Sequence, residues 1–470
     1  MLLQKNKLVQ NLILLCFLLT VGPLQSQEFQ SEVLTYSEFL GYVKKFHPRI
    51  KQANLILEEG EAQLMRARGA FDPKIEVDYE EKQFKGSEYY SILNSSFKIP
   101  TWYGIEVKAS FDNAEGIYVN PQLTTPNSGL TSVGVTLPLG QGLWINQRMT
   151  DLRIGKLQVQ LSEAEQRLAA VEVLYDASVV YFDWLKMYNE LKLYQSYLDF
   201  AETRYKGIIT LIEQGDKPAI DSIEAGIIIK NRQINLQDAE VKLMKAKLDL
   251  ATFLWIENVP VELQDNIIPD TLLQNTIVQD LPFERIETNA IATESHPKIQ
   301  SLQRKIDILT LDRQLKANLL LPKLDVGYYY LSEPSYFDNY RWEDYKVGLN
   351  FTFPIFLRKE RGTLKLAKLK LQDSQLDLSL ERLQLDNKMK AGKAEITALQ
   401  NQIEITSTLV NDYNTMLQSE ERLFSFGESS IFLINSRENS LIASLISQIN
   451  LENRYLVSYA NLFKVMGILE

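Results

Sequence analysis

The amino-acid sequence predicts an α+β membrane protein, a β-barrel continued by a barrel of long α-helices, with the chain written as an internal two-fold repeat. Three observations carry that prediction. Short elements recur at one offset, several segments alternate strictly between apolar and polar residues, and two proline-free runs far exceed ordinary helix length. Composition alone hides this. The 470 residues, 45% hydrophobic with mean hydropathy −0.17, describe two or three soluble domains or one elongated one. A net charge of −10 argues against a nucleic-acid partner. One cysteine and two histidines leave too few ligands for a zinc cluster and no disulfide framework, and no cofactor motif is present.

Residues 1–26 read as a secretory signal. Lys5 and Lys7 precede the apolar run from Leu12 to Leu19, and Gly22, Pro23 and Ser26 follow. Cleavage is expected after Ser26 or Gln27, which removes Cys16, the single cysteine. Leu15 before Cys16 disfavours a lipoprotein signal. No later segment has the roughly 18 consecutive apolar residues of a membrane-spanning helix, so membrane insertion, if any, falls to strands.

The repeat is visible residue by residue. His47-Pro48-Arg49-Ile50 recurs as His296-Pro297-Lys298-Ile299, and at the same offset Pro73-Lys74-Ile75 recurs as Pro322-Lys323-Leu324. Val133-Gly134-Val135-Thr136-Leu137-Pro138 is echoed by Val347-Gly348-Leu349 and Thr352-Phe353-Pro354. Each half then reads helix, strands, very long helix, glycine-marked break (Gly215, Gly427), long helix. The expected organisation is a first repeat over 27–256, with helices in 35–69, barrel strands in 73–139 and long helices at 141–214 and 218–256. An irregular join over 257–283 leads to a second repeat over 284–470, with a helix at 284–321, strands in 323–354 and long helices at 356–425 and 430–467.

The strand segments have period two. Ile75, Val77 and Tyr79 interleave with Glu76, Asp78 and Glu80, and Val107, Ala109 and Phe111 with Lys108, Ser110 and Asp112. The second half repeats this with Leu324, Val326, Tyr328 and with Val347, Leu349, Phe351. Such strands suit a half-buried sheet on a soluble core, or a barrel with an apolar outside and a polar lumen. Trp102, Tyr103, Tyr336, Trp342 and Tyr345 cluster near strand ends, as an aromatic girdle would. The histidines of the repeated His-Pro pairs read as bends between helical pieces.

No proline occurs between Pro138 and Pro218 or after Pro354, which leaves runs of about 100 Å as helix. In the second, Leu364, Leu371, Leu378 and Leu385 are spaced by sevens, and so are Leu369, Leu376 and Leu383, with Leu366 and Leu380 beside them. The two sets lie on opposite flanks of a helix with ~3.5 residues per turn. Two seams separated by two polar faces describe a stave of a hollow cylinder, or a member of a flat or solenoidal array.

Signal segment, doubled architecture, strand pairs entered through a proline and long helices broken at glycine together resemble the TolC-type outer-membrane efflux proteins over about residues 30–470. Leu137-Pro138-Leu139, Phe353-Pro354-Ile355, Glu213-Gln214-Gly215 and Ser425-Phe426-Gly427 carry the resemblance. It implies a homotrimer with a β-barrel among outer-membrane lipid and an α-helical tunnel in the periplasm. It further implies a periplasmic adaptor (membrane fusion) protein and an inner-membrane pump of RND or ABC type as partners, and no enzyme activity. Family members give two strands per repeat, whereas the first half here offers four candidates, 74–81, 89–98, 104–112 and 131–138, beside 323–331 and 345–353 in the second. In the family an acidic pair three apart rings the tunnel mouth after the second glycine. Here those positions hold Leu433 and Ser436, and the first-repeat equivalents are Asp221 and Glu224, the candidate gate. The bland alternative is that Pro218 and these acids simply suit the start of a helix. Asp216, Lys217, Glu428 and Ser429, at the hairpin tips, are the candidate adaptor contacts. The competing reading is a soluble periplasmic coiled-coil protein.

Overall fold

The computed structural model describes residues 33–264, 266–273, 277, 293–336 and 341–467. The signal segment and the predicted helical stretch 284–292 lie outside the described residues. In chain order the elements are β1 (Val33–Leu34), α1 (Tyr36–Phe46), α2 (Pro48–Arg68), β2 (Lys74–Phe84), β3 (Ser87–Pro100), β4 (Glu106–Glu115), β5 (Leu130–Pro138), α3 (Gln147–Glu213) and α4 (Ile220–Ala251). Next come the two-residue strands β6 (Trp255–Ile256), β7 (Val259–Pro260) and β8 (Ile268–Pro269), then α5 (Pro297–Asn318), β9 (Lys323–Ser332), β10 (Tyr345–Thr352), α6 (Arg358–Ser425) and α7 (Ile431–Met466). Helices α3 and α6 run 67 and 68 residues.

Several boundaries shift from the sequence expectation, each for a local reason. The helices expected within 35–69 are two and part at the His47-Pro48 bend, because Pro48 cannot donate an amide to continue α1 and His47 adopts extended backbone as the N-cap of α2. The helix expected from 141 starts at 147. Gly142 takes a left-handed φ of 106°, and Asn146 then caps α3 by accepting from the Met149 amide at 2.8 Å. The helix expected to reach 256 ends at 251, and Glu257 and Asn258 adopt the two left-handed residues of a hairpin turn between β6 and β7. α6 starts at 358 rather than 356, after Leu357 at φ 49°.

The chain divides into two compact units. One comprises Met1–Tyr42, Val180–Asp280 and Tyr413–Ile449. Its first core is aromatic: Tyr36 lies 5.2 Å from Phe182 and 5.4 Å from Tyr181, which meets Trp184 edge-on at 5.5 Å. The buried Tyr181 hydroxyl donates to the Leu34 carbonyl at 2.7 Å and accepts from the Asp270 amide, which ties β1 and the β8 segment to α3. Its second core joins Ala201 and Ile208 of α3, Ala225 and Ile228 of α4 and Ile431 of α7.

The other unit comprises Val43–Val179, Leu281–Asp412 and Asn450–Glu470. Here α5 packs on α6 through Ile299 and Ile306 against Leu371, Leu378 and Leu385. A Cβ on Gly60 of α2 would stand 2.6 Å from the Ser162 hydroxyl of α3, so that close crossing requires glycine. The unit also holds a six-stranded sheet of order β10-β9-β5-β4-β3-β2, every neighbouring pair antiparallel. The two extra candidate strands of the first half are therefore paired members of the same sheet.

Candidate functional site

The register of the sheet sorts its residues onto two faces. Phe351 lies opposite Leu324, Leu349 opposite Val326, and Val347 opposite Tyr328, which faces Val135 in turn. The same face continues through Val107 and Ile99, and through Phe97 to Ile75. The opposite face carries Lys346, Asp325, Thr136, Ser132, Ser110, Lys108, Lys98 and Glu76. Its polar groups bond across strands: Lys98 pairs with Glu76, the Ser110 and Ser132 hydroxyls meet at 2.7 Å, and Thr136 meets the Tyr329 hydroxyl at 2.6 Å. The Tyr329 ring fits only because Gly134 and Gly327 flank it, since a Cβ on either would come within 3 Å of its atoms.

Among the described residues none covers the outer-strand part of the apolar face. Ile75 is 77% exposed, Leu349 69% and Phe351 60%. In water such a contiguous apolar surface is costly, whereas against hydrocarbon it is stable, and strands of 8 to 14 residues match the roughly 9–11 needed to cross a bilayer.

Aromatic side chains stand at both ends. The helix-proximal turn between β3 and β4 carries Trp102 and Tyr103. Trp102 is packed, stacked on Phe71 at 5.9 Å with the Arg153 guanidinium over its ring, while Tyr103 is exposed. Trp144 and Phe356, which strand patterning did not single out, are the more exposed aromatics where the chain passes from sheet to helix, at 76% and 74%. Trp342 and Tyr345 lie at the far end, Tyr345 stacked on Tyr328 at 6.0 Å. Tyr336 ends a 3-10 turn, and its side chain, like Tyr340, lies outside the described residues.

The two helix hairpins end alike. Gly215 (φ 87°) donates to the Ile212 carbonyl and Asp216 reaches back to Leu211; Gly427 (φ 80°) donates to Phe424 and Glu428 reaches back to Leu423. This closure of a helix end requires the left-handed residue that glycine supplies. Asp216 and Glu428 are exposed, Lys217 sits over the Phe424 ring at 4.4 Å, and the Ser429 hydroxyl is held by Glu420. Asp221 lies in the first turn of α4 with Glu224 one turn on, both half-buried, and among the described residues neither is in an ion pair.

Deeper in the same unit lies a charge cluster that sequence reasoning missed. Glu438 of α7, 1% exposed, accepts from Arg204 of α3 at 2.6 Å and from Arg232 of α4 at 3.1 Å, and Arg204 also reaches Glu421 of α6 at 3.1 Å. The Glu438 carboxylate thereby ties three helices, α3, α4 and α7, and Arg204 adds α6 through Glu421. The signal was present: Glu438 interrupts the seam Ile431, Ile434, Leu441, and Arg232 interrupts Ala225, Ile228, Ala239.

The repeated histidines are N-caps. His47 Nδ1 accepts from the Arg49 amide at 3.3 Å and His296 Nδ1 from the Lys298 amide at 3.1 Å. With Nδ1 an acceptor, His296 Nε2 carries the proton and donates to the Val465 carbonyl at 3.0 Å. Burial pushes the His296 pKa down, against a smaller opposing effect of that bond. Among the described residues no group of three or more His, Cys, Asp or Glu is placed to hold a metal, and no helix is long and apolar enough to cross a membrane.

A sheet with one apolar face, joined to helices of nearly seventy residues, is a fold shared with solved outer-membrane channels. The fold is similar to the CmeC outer-membrane channel of Campylobacter jejuni (TM-score 0.63, 14% identity, 92% of this chain and 85% of that one). It is equally similar to the open MtrE outer-membrane channel of Neisseria gonorrhoeae (0.64, 12%, 92% and 89%) and to the outer-membrane protein VceC of Vibrio cholerae (0.64, 12%, 92% and 96%). The model of the outer membrane efflux protein family matches residues 290–468. No curated protein matches the sequence. The family model thus covers the second half of the chain, and the fold over about nine-tenths of it is that of these outer-membrane channels.

Proposed function

We propose that the chain is one subunit of the outer-membrane duct of a tripartite efflux or type I secretion system, through which small molecules or polypeptides leave passively. Three copies close the barrel in the membrane and the helical tunnel in the periplasm. The observation that carries the reading is the six-stranded sheet with its uncovered apolar face and polar opposite face. A soluble coiled-coil protein would have to leave that face bare in water. Tyr103, Trp144, Trp342 and Tyr345 then stand at the lipid interfaces, with Trp102 packed beneath them.

The hairpin tips, with Asp216, Lys217, Glu428 and Ser429, meet a periplasmic adaptor that couples the duct to an inner-membrane pump of RND or ABC type. Asp221 and Glu224 from each subunit ring the mouth, where paired carboxylates favour cations. No catalytic step is needed, because passage runs down the gradient that the pump creates.

Reconstitution of the purified chain in planar bilayers tests the reading. Discrete conductance steps from a species of trimeric mass are expected, and retention of the chain in membranes through a carbonate wash. Release by carbonate, with no conductance, overturns the reading. In the same assay Asp221→Ala/Glu224→Ala is expected to lower cation selectivity, and unchanged selectivity ends the gate assignment.

A further inference from the structure

The polar face of the sheet is not uniform in charge. Its cross-strand rows on β2, β3 and β4 read, from the helix-proximal end of β2 outward, Lys74-Lys98-Lys108, then Glu76-Ser96-Ser110, then Asp78-Asn94-Asp112. Within each row every residue lies directly opposite the next. Basic residues therefore stand in one line and acidic residues in another, in a chain whose net charge is −10. The basic row continues through the uncharged Gly134 and Tyr329 to Lys346 on β10.

Directly opposed like charges weaken a sheet, so three lysines in line carry a cost that nearby carboxylates could offset. Only one does. Lys98 donates to Glu76, while among the described residues neither Lys74 nor Lys108 is in an ion pair. The carboxylate next to Lys108 on the same face, Glu106, is taken up from outside the sheet by Arg148 of α3 at 3.2 Å. The acidic row lies four residues further along each strand, about 13 Å at ~3.3 Å per residue. That is beyond the roughly 8 Å over which charges act through physiological salt. One carboxylate thus serves three ammonium groups, and Lys74 is exposed and Lys108 half-buried beside it.

We infer that Lys74, Lys98 and Lys108 form a binding site for phosphate-bearing solutes on the polar wall of the sheet. The inference rests on the proposed duct, which sets this face in its aqueous lumen, and adds a class of cargo to it. Rings of lysine line anion and phosphate pores, and three copies of the chain would repeat the row around the lumen. Directly opposed residues stand about 4.5–5.5 Å apart at Cβ. A phosphate, with charge spread over several oxygens, can therefore accept from ammonium groups of two strands at once, each bond charge-assisted. A chloride ion, with a single small centre, gains less from the same row.

Inorganic pyrophosphate added to the unsubstituted chain in planar bilayers tests the site. It is expected to reduce the conductance, more at low salt than at high salt. Lys74→Gln/Lys108→Gln is expected to weaken that block by roughly tenfold and to move the reversal potential in a KCl gradient toward greater cation selectivity. Lys82→Gln, near the far end of β2 with its ammonium over the Tyr89 ring at 5.1 Å, is expected to change neither. Asp221 and Glu224 are intact in both variants, so their effect on selectivity is common to all. Block and reversal potential unchanged in the double variant, or block lost equally in Lys82→Gln, overturn the site and leave the duct standing. Titration calorimetry of pyrophosphate on the purified chain reads the lysine row without conductance. Weaker binding by Lys74→Gln/Lys108→Gln than by Lys82→Gln is expected, and equal binding overturns the site. If the unsubstituted chain neither conducts nor stays in membranes, the duct falls and calorimetry still decides the row. Should the double variant misfold, Lys108→Gln alone decides by the same comparison.

Discussion

Along one flank of α6, Leu371, Leu378 and Leu385 are nearly inaccessible, packed against Ile299 and Ile306 of α5. Along the other, Leu369, Leu376 and Leu383, spaced by the same sevens, are each more than half exposed. Residue type, spacing and helix are the same on both flanks. What differs is that the chain folds its own α5 onto one seam and has nothing to lay on the other. A heptad of leucines therefore specifies that a neighbour is wanted, not whether the same chain provides it. The sheet repeats the lesson, with interior strands paired within the chain and β2 and β10 each open on one side.

Four measurements sharpen or break this contrast between surfaces satisfied within the chain and surfaces left open. The largest effect is expected at the buried charge cluster. Glu438→Ala strands the buried Arg232 without an ion-pair partner and leaves Arg204 only Glu421, and chemical unfolding should show a loss of about 3–5 kcal/mol. A loss under about 1 kcal/mol would mean that water already reaches the site. Next, Leu378→Ala on the covered seam should cost about 2–5 kcal/mol in the same assay, the range for opening a cavity in a packed core.

His296 gives a smaller effect with a definite sign. Its folded-state pKa lies below the ordinary 6.5, so the unfolded chain takes up the proton first as pH falls. The stabilisation is present in full above about pH 6.5 and drains away below it, by about 1.4 kcal/mol for each unit separating the two pKa values. Protonation also removes the Nδ1 lone pair that caps α5. Thermal melts at pH 8 and pH 5 should show a narrower gap for His296→Asn, which retains a cap but does not titrate. A gap equal to that of the unsubstituted chain would refute the assignment. The smallest effect belongs to the bare seam: Leu376→Ala should change the stability of the isolated chain by less than about 0.5 kcal/mol. A loss matching Leu378→Ala would show that this flank is covered after all.

Much of the architecture was legible because its signals are local. Prolines forbid helix and glycines end it, so Pro138, Gly215, Pro354 and Gly427 bracket the long helices to within a few residues. Period-two alternation marked β2, β4, β9 and β10, whereas β3, with Ile92 and Leu93 adjacent, did not carry that signal. Where boundaries moved, a capping or left-handed residue such as Asn146 or Leu357 decided the position, and single residues of that kind are weak signals in sequence. The Glu438 cluster was visible only as charges on apolar seams. It is the fold that brings Arg204 and Arg232 to the Glu438 carboxylate, and Glu421 to Arg204.

The sequence by itself determined where the long helices and the strands of the sheet fall, to within a few residues, and that they have two faces, because dihedral preference and hydrophobic period act over a few residues. Only the tertiary structure decided the strand order β10-β9-β5-β4-β3-β2 and which seam of α6 is filled. Those depend on contacts between residues far apart in the chain, such as Thr131 of β5 and Ser332 of β9, 201 positions apart. Local periodicity is equally satisfied by several such pairings, and the packing of the whole selects one.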